Sequence, residues 1–322
     1  MSSSINPPTL HTDVYDAISP EALRGSLLNK VVVITGAAGG LGTGESIAFA
    51  KAGAKLALID IPQAQQSLEK VVLQCKEFGA EAHGYLCDVT QDESSTWVYG
   101  KILADFEHVD VLVNNAGRTN DRPFHMQSFD AFWSVLEVNL RAPLFWTHMM
   151  LPHFRERGKG TIINIASRAA TVNTPFGVNY CSSKAALVRS TGCLQLEADL
   201  DGLHGIEVYA LHPGANRTNM VKPLDPDVAE MYPEVSKVYT TFANNFRCKP
   251  ALCGQTCVFL AAGKGRALKG KYFDCEQDVG YVASMAEEMQ AKELYELKVD
   301  FLGGLPNDGG TAKGGALFGG DS

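Results

Sequence analysis

No apolar run in this chain approaches the roughly 18 residues that a membrane-spanning helix needs, so a helical integral membrane protein is excluded. Positive charge is also in short supply. Lys and Arg total 28 against 36 Asp and Glu, the formal net charge is −8, and no basic block stands out. That argues against nucleic acid or an anionic membrane as a partner. Residues 1–10 lack the apolar core of a secretory signal, and the final Gly320-Asp321-Ser322 is not a peroxisomal address. The expectation is a cytoplasmic protein. Cysteine is present, with 8 residues, yet no Cys-x-x-Cys pair of the zinc-site type occurs. Cys248, Cys253 and Cys257 form the one loose cluster, and Cys253 and Cys257 read as buried helix residues. Reduced thiols and no metal are expected. What the chain does have is 45% hydrophobic and 20% charged residues over 322 positions, an ordinary globular composition.

Short β-branched runs recur at domain-scale intervals. Strands are expected at 30–35, 55–59, 82–86, 109–113, 161–166, 206–211 and 271–274, with helical patterns between them, one ending near Ala52 with Gly53 as its C-cap and one at 63–78. The runs are apolar throughout rather than alternating, as strands buried on both faces are. This predicts an α/β fold: a single Rossmann-type, doubly wound domain with a seven-stranded, mostly parallel sheet flanked by helices. The expected organisation is a polar N-terminal extension at 1–29, a catalytic domain at 30–281 and a C-terminal extension at 282–322 with a mobile Gly-rich end.

Thr35-Gly36-Ala37-Ala38-Gly39-Gly40-Leu41-Gly42 separates the first strand from its helix. Glycines there permit a tight turn and close approach to a pyrophosphate, and the helix N-terminus offers free N–H groups. An acid, Asp60, stands 18 residues after Gly42 at the end of the second strand, placed to accept from a ribose diol. A 2′-phosphate would meet its charge, and no Arg or Lys occurs at 36–50 or 61–69 to receive one, so NAD is expected over NADP.

Tyr180 and Lys184 are four apart, on one face of a helix. Bringing a phenol from about 10 to neutrality needs about 4 kcal/mol, and an ammonium about 4 Å away at an effective dielectric of about 20 supplies that much. With 10 Tyr and 28 Lys and Arg, one such pair arises by chance, so the context must decide.

With these features in place, residues 30–275 resemble the short-chain dehydrogenase/reductase family. The likeness rests on an ordered set: the Gly36-x3-Gly40-x-Gly42 loop, Asp88-Val89, Asn114-Asn115-Ala116-Gly117, Asn139, Ser167 at 13 residues before Tyr180, Lys184, and Pro213-Gly214 with Thr218. The resemblance implies a catalytic set of Asn139, Ser167, Tyr180 and Lys184. Ser167 would hold a substrate carbonyl, and Tyr180 would exchange its proton. Lys184 would lower the Tyr180 pKa and bind the nicotinamide ribose, and Asn139 would anchor a water leading to solvent. It also implies cofactor contacts from Gly36, Gly40, Leu41 and Gly42, from Asp60 and Ile61, from Asp88 and Val89, from Asn115, Ala116 and Gly117, and from Tyr180, Lys184, Pro213, Gly214, Asn216 and Thr218. Structural roles compete at several of these. Asn139 would suit a helix kink, Ser167 a turn, Asp88 a helix cap, and Asn114 and Asn115 a link between strands.

The chain also departs from the family pattern. Asn216 replaces an apolar residue and is open to a backbone cofactor contact or to the substrate pocket. Arg168 follows Ser167 directly and reads either as a substrate contact or as a solvated loop residue. Tyr272-Phe273-Asp274-Cys275-Glu276 replaces a final Asp-Gly-Gly strand. Residues 219–250 are the expected substrate loop, with Met220 a further substrate contact and Val235, Tyr239, Phe242 and Phe246 at helical spacing. They read as core packing or as a lid over a bulky apolar alcohol. Met285, Met289, Leu294 and Leu297 suggest a helix covering the site or a neighbouring subunit. The lead around Ala17-Ile18-Ser19-Pro20 is similar to fungal members. The expected activity is NAD-dependent interconversion of a secondary alcohol and a ketone, by a homodimer or homotetramer. A non-catalytic NAD(H) sensor, or an epimerase or dehydratase working through a transient ketone, are the alternatives.

Overall fold

The computed structural model describes residues 6–218, 220 and 222–302, and the side chain of Phe242 is outside that description. The sheet comprises β1 (Val31–Thr35), β2 (Lys55–Asp60), β3 (Ala82–Leu86), β4 (Val111–Asn114), β5 (Gly160–Ile165), β6 (Ile206–His212) and β7 (Tyr272–Asp274). Its order is β3-β2-β1-β4-β5-β6-β7, and every pairing is parallel, where a mostly parallel sheet was expected. Strand order reverses between β1 and β4, the crevice at which open α/β sheets bind ligands.

Strand side chains alternate between two cores because successive Cβ atoms point to opposite faces. Val32, Ile34, Leu56 and Leu58 join one core with α1 (Gly40–Lys51), α2 (Gln65–Glu77) and α9 (Pro250–Ala261). Val31, Val33, Ala57 and Ile59 join the other with α3 (Asp92–Phe106) and α5 (Ala142–Arg157). Gly53 takes a positive φ of 88° just past the end of α1, as its expected capping role requires. The remaining helices are α4 (Phe129–Leu136), α6 (Val178–Leu200), α7 (Pro226–Met231), α8 (Pro233–Asn244), α10 (Val279–Ser284) and α11 (Ala286–Ala291).

Both extensions are built into the domain. Ile18, Leu23 and Leu27 of the N-terminal lead are fully buried in the first core. The Tyr15 hydroxyl accepts from Val279 N at 2.7 Å, and Thr12 O accepts from Lys249 N at 2.9 Å. From the C-terminal side, Val282 and Met289 enter the same core. Tyr272 N on β7 donates to Tyr295 O at 2.9 Å, so the later chain covers the outer edge of the sheet. Leu297 packs on a smaller cluster around Ala166 and Ala210. Helix α8 ends at Asn244, so Phe246 lies beyond the helical face expected to include it. The Gly-rich end at 303–322 lies outside the described residues.

Candidate active site

The loop after β1 is shaped by contact with the end of β4. Gly36 has a φ of +67°, and a Cβ on Gly42 would sit 2.2 Å from Gly36 O, so neither position admits a side chain. Asn115 locks the loop from the neighbouring strand: its Nδ2 donates to Thr35 O and Gly36 O, both at 2.9 Å. Thr35 Oγ1 in turn accepts from Asn115 N and Ala116 N, both at 3.1 Å. Gly39 caps α1 without any side-chain bond, and Gly39 and Gly40 are exposed. The first N–H groups of α1 therefore face an open crevice, which fits a pyrophosphate. Asp60 closes the edge of this loop, accepting from Ala38 N and Ile61 N at 2.8 Å each. Each carboxylate oxygen keeps further acceptor capacity. Asp88 takes the turn-forming role, accepting from Thr90 N at 3.0 Å and Thr90 Oγ1 at 2.7 Å ahead of α3, while Val89 is buried.

The turn after β6 comes over the same crevice. Gly214 has a φ of +77°, Thr218 lies within 3.6 Å of where a Gly40 Cβ would be, and Met220 within 3.7 Å of a Gly117 Cβ. Gly36, Gly40, Gly117, Thr218 and Met220 are thus brought together, with Pro213 and Gly214 buried behind them.

Opposite stand the proton-handling residues. Ser167 lies just past β5 and accepts from Ala169 N at 3.1 Å, so it forms a turn as well as presenting a hydroxyl. Tyr180 sits in the first turn of α6, with its phenol facing the Ser167 hydroxyl closely enough for that hydroxyl to favour ionisation. Lys184 follows one turn later and is 4% exposed. Its Nζ donates to Ile165 O at 2.6 Å and lies 5.8 Å from the centre of the Tyr180 ring.

The electrostatics correct the expectation of a lowered tyrosine pKa. Burial pushes the Tyr180 phenol up to about 12, against a smaller opposing pull from Ser167. Burial also pushes Lys184 down to about 8. Both groups lose solvation of their charged forms, and the ammonium is spent on a backbone carbonyl. The phenol is therefore protonated at neutral pH.

Asn139 is completely buried in a π-helical turn, Glu137–Arg141, between α4 and α5. Its Oδ1 accepts from Arg118 N and its Nδ2 donates to Arg118 O, both at 2.9 Å, with Ser183 Oγ at 3.3 Å from Nδ2. It joins the loop after β4, the bend between two helices, and α6 beside Lys184. Asn114 has the structural role considered for it, donating to Asn164 Oδ1 at 2.8 Å across β4 and β5.

The short chain dehydrogenase family profile matches residues 30–229. The chain belongs to the short-chain dehydrogenase family. It is 31% identical over 281 residues to a short chain dehydrogenase of the fungus Pseudocercospora fijiensis, covering 86% of this chain and 89% of that one. It is 32% identical over 199 residues to estradiol 17-beta-dehydrogenase 11 of Homo sapiens, covering 62% and 66%. A short-chain type dehydrogenase/reductase from Mycobacterium marinum has the same fold, with a TM-score of 0.66 at 24% identity over 82% of this chain and 99% of that one. The family binds nicotinamide cofactors, and the uncapped helix, the glycine crevice and Asp60 fit such a group.

Two residues of this dehydrogenase stand where sequence reasoning did not put them. Arg168 is exposed, as the loop reading expected, but its guanidinium is not free. Its Nε donates to Asp274 Oδ2 at 2.8 Å and its Nη2 to Glu276 Oε2 at 2.6 Å. Asn216 folds its side chain back onto its own turn, donating to Gly214 O at 3.1 Å and to Pro213 O, because two carbonyls converge there. Its backbone N–H donates to Gly214 O as well, at 3.0 Å.

Sequence reasoning also missed His212, Asp274 and Glu276, whose ligand atoms lie within 4.8 Å of one another. The alternation of acids at 274 and 276, in place of the usual glycines, was the available signal. Both carboxylates are committed to Arg168. Glu45, Cys253 and Cys257 form a second close group, wholly buried on α1 and α9. Burial pushes the Glu45 carboxyl up to about 8, so it is neutral at pH 7.

Tyr232 and Tyr239, just after α7 and on α8, pack on the segment that leads into α6. Phe176 packs on Tyr232 at 5.1 Å and Tyr239 at 6.4 Å, and the Tyr239 hydroxyl donates to Pro175 O at 2.6 Å. Arg122, on the loop after β4, ion-pairs with Asp225 and Asp227 at 2.5 Å each and ties α7 down.

Proposed function

We propose that the protein is an NAD-dependent oxidoreductase that interconverts a secondary alcohol and a ketone of medium to large, apolar or cyclic shape. The observation that carries this reading is the juxtaposition of the Ser167 hydroxyl and the Tyr180 phenol, with Lys184 buried one turn behind and donating to Ile165 O. Two hydroxyls converge there at the carboxyl ends of the strands, beside the glycine crevice. Together they suit one carbonyl oxygen: Ser167 donates to it and orients it, while Tyr180 gives a proton in reduction and takes one in oxidation. A bound nicotinamide would supply the hydride acceptor or donor. The site as it stands holds the phenol protonated, ready as an acid. Action as a base requires the positive charge of Lys184 to be turned toward the phenol.

The preference for NAD rests on Asp60, whose carboxylate borders the loop with only Ile61 following it. The shape of the substrate rests on the aromatic cover of Phe176, Tyr232 and Tyr239. A relative named for a steroid alcohol supports the same class. We also propose that the protein works as a homodimer or homotetramer in the cytoplasm.

The deciding experiment is a screen of alcohols and ketones with NAD and NADP, followed by NADH absorbance. Turnover of cyclic secondary alcohols with NAD is the expected result. Equal use of NADP, or equal turnover of 2-propanol and large cyclic alcohols, would overturn the cofactor or the substrate assignment respectively.

A further inference from the structure

We propose that Glu276 is a positioning residue that holds the Ser167 segment and the turn after β6 at a fixed spacing, and so sets the substrate carbonyl against the cofactor. The inference rests on the reaction proposed above and extends it to a residue outside the catalytic set.

The two oxygens of one carboxylate are divided between two segments. Glu276 Oε2 accepts from Arg168 Nη2 at 2.6 Å, and Arg168 is the residue next to Ser167. Glu276 Oε1 accepts from Ala215 N at 2.8 Å and from the Cys248 thiol at 3.1 Å, and Ala215 sits between Gly214 and Asn216 in the turn after β6. The bridge is stiffened from both ends. Asp274 Oδ2 takes Arg168 Nε at 2.8 Å, and Asp274 Oδ1 accepts from Glu276 N at 3.0 Å. His212 Nδ1 accepts from Arg168 N at 3.3 Å. The base of the bridge is the end of β7, paired in register with β6 through Asp274 and His212. Burial pushes the Glu276 carboxyl up, but Ala215 N–H, the Cys248 thiol and Arg168 together hold it below the usual carboxylate range, so the bridge is charged at neutrality.

Either segment could be anchored alone by a carboxylate of its own. A single group bonded to both fixes the distance between them. Hydride transfer is sensitive to that distance, since a misplacement of about 1 Å can cost about 100-fold in rate.

The test compares Glu276→Ala and Glu276→Gln with the wild type. Three quantities are read: deuterium exchange of peptides covering 166–172 and 213–218, the Kd for NADH by fluorescence, and kcat and KM for the alcohol found in the screen. Glu276→Ala should raise exchange in both peptides and lower kcat by about 30- to 100-fold, with the NADH Kd changed less than about 5-fold. Glu276→Gln keeps an acceptor for Ala215 N–H but loses the ion pair. It should raise exchange at 166–172 only and recover about tenfold of the lost kcat. Exchange rising in only one peptide of Glu276→Ala, or a kcat within about 3-fold of wild type, would overturn the proposal. If Glu276→Ala does not fold, Glu276→Gln decides by the same segment-specific exchange: loss confined to 166–172 supports the bridge, and no change there refutes it. A wild type that turns over nothing while Glu276→Ala frees both peptides leaves the bridge standing and removes the oxidoreductase reading.

Discussion

Burying Lys184 holds its ammonium down to about 8, well below the ordinary lysine value. The unfolded chain therefore binds more protons than the folded one from about 8 up to 10.5, and the Lys184 contribution to stability rises with pH through that window. Lys184→Met removes this burden and leaves Ile165 O without its donor. The variant should lose turnover. Its stability relative to wild type should be greater at pH 6.5 than at pH 9.5, as read from urea unfolding at both. A constant difference would show that the ammonium is solvated in the folded protein. Tyr180→Phe removes the proton itself and should lower turnover by about 100-fold or more while NADH still binds. The two residues were legible as a pair because helical spacing is local. Their altered proton affinities were not, since these depend on what other elements bury.

Elements set the distances between these residues. α1 carries the glycine crevice and packs tightly on α9, where a Cβ on Gly254 would lie 2.6 Å from Gly44 O and 2.9 Å from Ala48 Cβ. Gly254→Ala must push the two helices apart, with an expected cost of about 1–3 kcal/mol, measured by urea unfolding, and a weaker NADH Kd as α1 shifts. The latch between Arg122 and α7 is more exposed, with Asp225 and Asp227 each over half open to solvent. Exposed pairs contribute little to stability. Arg122→Ala should therefore leave the melting temperature nearly unchanged and raise KM for a bulky alcohol more than it lowers kcat. Strand positions were readable to within one or two residues because fully apolar runs mark strands buried on both faces. The helix kink considered at Asn139 is a π turn, and its two hydrogen bonds to the Arg118 backbone, 21 residues away, could not be read from local spacing.

At the scale of the whole molecule, the described parts of both extensions contribute to the core. Ile18, Leu23 and Leu27 are buried with α9 and the first core, so a chain starting at Lys30 loses three core side chains, each worth about 2 kcal/mol or more. Such a chain should lose its cooperative melt by calorimetry. A sharp transition near that of the full chain would show the lead to be dispensable. The amino-acid order by itself determined the doubly wound sheet, the glycine crevice with Asp60, and the Ser167, Tyr180 and Lys184 series. The sheet and the crevice rest on strand periodicity and turn chemistry, the Tyr180–Lys184 pair on helical spacing, and the place of Ser167 on the resemblance to the family. Only the tertiary structure decided the partners of Arg168, the fold-back of Asn216, the burial of Ile18, Leu23, Leu27, Val282 and Met289 from the two extensions, and the bridge through Glu276. The ion pairs, the bridge and the buried extension residues depend on groups far apart in sequence meeting, and the Asn216 fold-back on a turn geometry that the strand ends impose.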